Sequence, residues 1–323
     1  MKDYIYEVAR IRVKESDLLT DADFEQLLAE PTVTSALAYL SDKGWAGGET
    51  KLSADEFLRR EGAAVWELMD ELTKDSGDLD ILRLTKDYHN LKAAVKQLYT
   101  ASPLAPERLF VDGGAIPVAM ILEAVKEQDF DKLPAAMAEA AREATEVLAR
   151  TGDGQLCDTI IDKAALSALI RAGEETEEPI LRDYAELTAV SADVRIALRG
   201  AAGGRDLETI REMLSEAPGL DLAALTEAAV SGKGAVAEYL QNTPFESLAP
   251  ALLTSMSAFE CACDNMMIRR MRSQRFEIMG LGPLAAYVIA RENEIKCVRL
   301  LLTGKQNRLP EELLRESLRE SYV

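Results

Sequence analysis

Histidine is nearly absent from this chain: His89 stands alone in 323 residues. A triad or a multi-histidine metal site would have to be built around that one ring, so His89 is expected to be a helix-surface or interface side chain. Cysteine is also sparse. Cys157, Cys261, Cys263 and Cys297 form no CxxC pair and have no histidine to complete a zinc set, which leaves reduced, mostly buried thiols. Aromatics make up only 6% of the residues and alternating β-branched runs are almost missing, so strand signals are weak. No uncharged apolar run approaches the roughly 20 residues of a membrane helix. The opening Met1-Lys2-Asp3-Tyr4-Ile5-Tyr6-Glu7 mixes charge into its first turns and has no apolar signal core. These absences predict a soluble cytoplasmic chain whose membrane contact is peripheral at most. Basic charge is short as well: 37 Lys and Arg against 56 Asp and Glu give a net charge of -19. Such a surface repels phosphate backbones, which argues against nucleic acid; it points to a basic partner or serves only to keep the chain soluble.

What remains is helical. Hydrophobic residues make up 48% of the chain, enough for a substantial core, and 323 residues exceed the usual single core, so two or three domains are expected. Phe57, Ala64, Val65, Leu68 and Leu72 fall at three- and four-residue steps and predict an amphipathic helix over 56–73, entered through a Ser53-x-x-Glu56 capping box. The Ala-, Glu- and Arg-rich stretch 135–150 predicts a second helix, and 248–279 a longer one. Glycine pairs and clusters such as Gly113-Gly114, Gly203-Gly204 and Gly280-x-Gly282-Pro283 read as loops or caps. The fold class is all-α.

Short segments recur three times in the same order. Phe24-Glu25-Gln26-Leu27 returns as Phe130-Asp131-Lys132-Leu133 and as Phe245-Glu246-Ser247-Leu248. Asn90-Leu91-Lys92 is echoed by Asp193-Val194-Arg195 and Glu294-Ile295-Lys296. Third come Ile116-Pro117-Val118, Leu220-Asp221-Leu222 and Leu309-Pro310-Glu311. A period of about a hundred residues is too long for a solenoid, so the copies read as small helical units, placed at 1–128, 129–243 and 244–323. Lys92, Arg195 and Lys296 are expected to play equivalent structural parts, such as pairing with a neighbouring acidic helix, with an interface role as the alternative.

Two motifs resemble chemistry and fall short of it. Thr303-Gly304-Lys305 looks like the end of a phosphate loop. It lacks the earlier glycine (Arg299 stands there) and the following Ser or Thr (Gln306), and it follows a helix, so Gly304 is expected to be a helix C-cap. Asp158 and Asp162, one turn apart, could share a face as in magnesium-dependent prenyl synthases, but the dense DDxxD cluster and a second acidic motif are missing. No catalytic, cofactor-binding or metal-ligating residue is assigned, and partner-binding residues stay open.

The C-terminal third carries a resemblance. Phe276-Glu277-Ile278-Met279-Gly280-Leu281-Gly282-Pro283-Leu284-Ala285-Ala286-Tyr287, then Arg291 to Lys296, then Leu301-Leu302-Thr303-Gly304-Lys305, resemble the end of the C subunit of V/A-type rotary ATPases, called the d subunit in the eukaryotic enzyme. The start (Tyr4 to Tyr6, Ala9-Arg10-Ile11-Arg12, Glu15, Leu18-Leu19-Thr20) and the middle Asp87-x-x-Asn90-x-Lys92 element are similar too, although the second copy has Asp193 where the pattern has Asn. The resemblance implies three pseudo-equivalent helical units in a funnel-like, pseudo-threefold body without a catalytic site or cofactor. It implies a place on the cytoplasmic face of the membrane, with the central stalk subunits and the membrane rotor ring of proteolipid subunits as partners. Torque would pass between them, and no small-molecule substrate or nucleic acid would be bound. The competing class is a helical adaptor or scaffold that docks a peptide segment.

Overall fold

The computed structural model describes residues 3–49, 51–74, 76–99 and 109–323; Met1 and Lys2 of the N-terminal reading lie outside them. Every regular element among these residues is a helix, as the weak strand signal predicts. Helices α1 (Ile5–Glu15), α2 (Asp21–Ala29), α3 (Val33–Asp42), α4 (Ala54–Thr73), α5 (Leu84–Tyr99), α6 (Val118–Glu127), α7 (Ala135–Thr151) and α8 (Gly154–Glu175) lead into α9 (Pro179–Ala202). There follow α10 (Leu207–Met213), α11 (Leu222–Ser231), α12 (Lys233–Leu240), α13 (Ala249–Thr254), α14 (Met256–Met271), α15 (Gly282–Gln306) and α16 (Glu311–Ser317).

By packing, the chain divides into two compact units. One comprises Met1–Asp78, Glu178–Ile180 and Thr254–Val323; the other Leu79–Glu177 and Leu181–Leu253. The first unit is organised on α15, whose residues 282–291 are all buried. A helix apolar on every side has no solvent face to offer and sits inside its neighbours. Further along α15, Cys297, Val298, Leu301 and Leu302 join Phe24, Leu27, Leu40, Trp45, Phe57 and Leu314 in one core. Each large side chain so buried contributes about 1.5–3 kcal/mol.

The second unit is built on close helix contacts. Ala138, Ala140, Ala141 and Ala144 on α7 meet Cys157, Ile161 and Ala165 on α8, under Leu91 and Val95 of α5. Small side chains let helix axes approach closely and make ridge-into-groove packing tight.

Local signals account for several helix ends and misplace others. Thr20 with Asp23, and Thr32 with Ser35, form reciprocal capping boxes, while Ser53 Oγ accepts the Glu56 N–H at 3.3 Å. On α4 the buried stripe is Phe57, Leu58, Glu61, Val65, Trp66, Met69 and Leu72; Ala64, expected inside, is exposed. The helix expected over 248–279 is broken. Ser255 interrupts it, its hydroxyl accepting the Ala258 N–H at 3.0 Å to start α14, and beyond a 3-10 turn at Arg272–Phe276 the chain runs extended. Gly304 is not a C-cap either, because α15 continues to Gln306. A Cβ at 304 would overlap the Leu314 side chain, so glycine there admits α16 against α15. Lys305 instead caps another helix: its Nζ donates to the carbonyls of Leu28 at 2.8 Å and Glu30 at 2.6 Å, at the end of α2.

Candidate functional site: buried polar anchors

The threefold motif places its residues alike in each copy. Phe24 and Leu27, Phe130 and Leu133, Phe245 and Leu248 are all buried. Ile116-Pro117-Val118, Leu220-Asp221-Leu222 and Leu309-Pro310-Glu311 each open a helix, α6, α11 and α16. The middle landmark sits on α5, α9 and α15, and its first residue is buried every time: Asn90 and Asp193 completely, Glu294 at 3% exposure.

Burying a polar side chain costs free energy unless hydrogen bonds replace water, and each of the three is satisfied by loop backbone. On α5, Asn90 Oδ1 accepts the Val111 N–H at 2.8 Å and its Nδ2 donates to the Val111 carbonyl at 2.9 Å. One turn earlier, Asp87 accepts the N–H groups of Ala115 at 3.3 Å and Ile116 at 3.1 Å. Gly114 makes that approach possible, since a Cβ would run into the Asp87 carboxylate. On α9, Asp193 accepts Ser215 N–H at 2.9 Å, Ala217 N–H at 3.2 Å and the Ser215 hydroxyl at 3.0 Å. Burial pushes both carboxyls, Asp87 and Asp193, above the usual range, and the amide donors pull them back.

The α15 copy is more elaborate. Glu294 Oε1 accepts the Leu19 N–H at 2.7 Å and Oε2 takes Arg291 Nη1 at 2.6 Å. Arg291 also pairs with Glu61 of α4, whose other oxygen accepts the Ala46 N–H at 2.8 Å. The guanidinium lies 4.7 Å from the Trp45 ring centroid, and Trp45 stacks on Phe57 with centroids 6.4 Å apart. Two carboxylates around one guanidinium leave an excess negative charge in the core. Desolvation by burial drives Glu294 up to about 7, although Arg291 and the Leu19 amide oppose the shift.

Two of the motif's basic residues pair with acidic helices. Lys92 Nζ lies 2.6 Å from Asp162 on α8, and Lys296 pairs with Asp264 on α14. The helix pair α5 and α8 is bridged a second time by Lys96 and Asp158 at 2.7 Å. Asp158 and Asp162 thus each face an ammonium group. Arg195 occupies the matching position on α9.

The remaining sequence candidates are placed as follows. His89 is exposed, its Nε2 3.3 Å from the Leu109 carbonyl. All four cysteines are buried and none is in a disulfide, and burial raises the Cys157 and Cys297 thiols to about 11, where the reactive thiolate is suppressed. Among the described residues no three His, Cys, Asp or Glu side chains converge as a metal site, and no helix is long and apolar enough to cross a membrane. The Glu61–Arg291 pair went unread in the sequence. Its signal was a glutamate one turn from Phe57 and one turn from Val65, inside an otherwise apolar stripe. The arrangement can fasten loops to helices rigidly; it presents no nucleophile, base and orienting group together.

Comparisons with known proteins agree along the length of the chain. The ATP synthase (C/AC39) subunit family matches residues 8–317. The C subunit of the V-type ATP synthase of Thermus thermophilus is 26% identical over 340 residues, covering 98% of each chain. The C subunit of the V-type sodium ATPase of Enterococcus hirae is 22% identical, covering 97% of each. The C subunit of the A-type ATP synthase of Methanocaldococcus jannaschii is 22% identical over 96% of this chain and 85% of its own. With a match that runs through all three copies of the buried anchor, the chain belongs to the ATP synthase (C/AC39) subunit family.

Proposed function

We propose that this chain is the non-catalytic rotor coupling subunit of a V/A-type ATPase or ATP synthase. It joins the central stalk to the membrane rotor ring on the cytoplasmic face and transmits torque for proton or sodium ion transport. The family match over residues 8–317 is the observation that carries this reading. The structure supports it physically. Torque transfer needs a body that deforms little under load, and the buried anchors tie irregular segments (111–116, 215–217 and 18–19) to long helices, which stiffens those segments.

We extend the reading to three repeat units at 1–128, 129–243 and 244–323, arranged as a funnel. A helical stalk end would seat in a concave, partly apolar face, as helix-in-groove recognition requires. A groove of about 830 Å³ in the second unit, lined by Leu156, Ile160 and Ala164 of α8 together with Glu143, Lys163 and Arg171, is partly apolar in this way. Cytoplasmic loops of membrane helices are enriched in Lys and Arg, so part of the net charge of -19 would face the ring.

The test is reconstitution. A complex stripped of this chain in proteoliposomes should hydrolyse ATP without moving ions, and adding the chain back should restore transport in a salt-sensitive way. Restoration of neither binding nor transport, together with tight binding of an isolated extended peptide, would instead establish an adaptor.

A further inference from the structure

In the first unit the non-helical segment 318–323 lies in the seam between α14 and α15, held by one cysteine and one asparagine from each helix. On α14, Cys261 donates its S–H to the Leu318 carbonyl at 3.4 Å, and Asn265 Oδ1, one turn on, accepts the Glu320 N–H at 2.8 Å. On α15, Asn293 Nδ2 donates to the Glu320 carbonyl at 3.2 Å, and the Cys297 sulfur, one turn on, accepts the Arg319 N–H. Each helix thus presents its pair at i and i+4, the spacing that sets two side chains on one face. The Leu318–Arg319 peptide meets a sulfur with its C=O and another with its N–H. In a planar trans peptide these groups point opposite ways, so the two thiols flank the backbone between them. The segment closes over both, with Cys261 at 8% exposure and Cys297 at 0%, and burial pushes both thiols up.

The other bonds that fasten the segment are largely ionic and partly wet. Glu320 pairs with Arg269 and, at 3.0 Å, with Arg272, whose side chains are 61% and 48% accessible. Arg272 also donates to the Ser321 carbonyl at 3.2 Å, and Arg319 pairs at 3.0 Å with Asp264, a carboxylate that Lys296 shares. Tyr322 is the large buried anchor, its ring centroid 5.9 Å from the Arg275 guanidinium. A segment held by half-exposed ion pairs and by side chains instead of a backbone ladder opens at less cost than the unit around it, and more readily as salt rises. Opening uncovers Cys261 and Cys297 together. Once hydrated, their thiols return toward the ordinary range and form thiolate.

We propose that segment 318–323 is a releasable strap and that Cys261 and Cys297 make its closure redox-sensitive. In the open state either thiol loses its proton to water and the thiolate attacks a low-molecular-weight disulfide. A Cys–S–S–R bond forms as the reagent's S–S bond breaks, and the departing thiolate takes up a proton, so the cysteine is oxidised and half the reagent reduced. The added group stands where the Leu318–Arg319 peptide lay, and at Cys261 the S–H donor is gone. The strap stays out until a thiol reductant reverses the exchange. This device goes beyond the coupling role and does not depend on it.

The experiment incubates the folded full chain with glutathione disulfide and follows each cysteine by mass spectrometry, with hydrogen exchange at the Glu320 amide read in parallel. Cys261 and Cys297 should be modified about tenfold faster than Cys157 of the second unit and than Cys263, which lies two positions on and so on another face of α14. Their rates should rise with salt. Glu320→Gln should speed both about tenfold, since two half-exposed pairs weaken, and leave Cys157 unchanged. The Glu320 amide should lose protection on modification and regain it with dithiothreitol. Modification of all four cysteines at one common rate, or of none at any salt, overturns the strap, and the wild-type salt series decides this even if the variant fails to fold. Modified Cys261 or Cys297 with the Glu320 amide still protected overturns the link between thiol and strap.

Discussion

The carboxylate of Glu294 accepts the backbone N–H of Leu19 at 2.7 Å, joining residues 275 positions apart. That bond belongs to a buried set in which Arg291 stands between Glu294 and Glu61. Replacing Arg291 by Leu removes the cation between them and leaves two facing carboxylates in the core. The expected cost is about 3–5 kcal/mol, read as a lower urea midpoint for the first unit. An unchanged midpoint would show that the pair adds nothing to stability.

The same set gives a pH dependence whose sign follows from burial. Glu294 is raised from 4.5 to about 7, so the folded chain holds this proton more tightly than the unfolded chain does. Its stabilising contribution is fully present below the unfolded value and is lost as pH rises through about 7. Asp87 and Asp193, also raised by burial, act with the same sign in the acid range. Stability measured by denaturant titration should therefore fall between about pH 5 and pH 8. Glu294→Gln should flatten that slope; a variant as steep as wild type would place the titration elsewhere.

Asp193 is the anchor with the most to lose, since its carboxylate takes two backbone amides and a hydroxyl. Asp193→Ala strands these groups, at about 1–3 kcal/mol for each buried donor left unpaired. Amide exchange should speed up first at Ser215 and Ala217, ahead of the α11 helix that follows them. Uniform acceleration over the whole unit would show that the anchor is not local.

Lys92 and Asp162 make the opposite forecast. The pair is half exposed, with the Asp162 side chain 49% accessible, so Lys92→Met should change stability by no more than about 1 kcal/mol. A loss of several kcal/mol would mean that the bridge between α5 and α8 is shielded from water by a neighbour.

Gly304 tests packing instead of charge. Gly304→Val pushes a branched side chain into Leu314, and overpacking of this kind costs about 1–3 kcal/mol. Limited proteolysis should then cut near Arg308, in the turn before α16. Resistance equal to wild type would mean that Leu314 moves aside freely.

Local periodicity was enough to read the helical class and the spans of α4 and α7, because an apolar stripe every three to four residues is written in consecutive side chains. The recurrence of Asn90, Asp193 and Glu294 could also be read, and so could the pairing of Lys92 and Lys296 with acidic helices, since residue type and order survive in the sequence. What the polar residues were for could not. Asn90 and Val111 are 21 positions apart, whereas Glu294 finds Leu19 at the other end of the chain. Only the packing of whole helices decides which loop amide arrives at a buried carboxylate. The extended segment after Phe276 failed to show for the same reason, since Asp3 and Arg12, which bind it, lie at the other end of the chain; the break at Ser255 is local, its hydroxyl accepting the Ala258 N–H three residues on. The sequence by itself determined the helices and the repeated polar positions, because propensity and periodicity act between near neighbours. The tertiary structure alone decided which groups are buried together, because desolvation depends on everything that closes around a side chain.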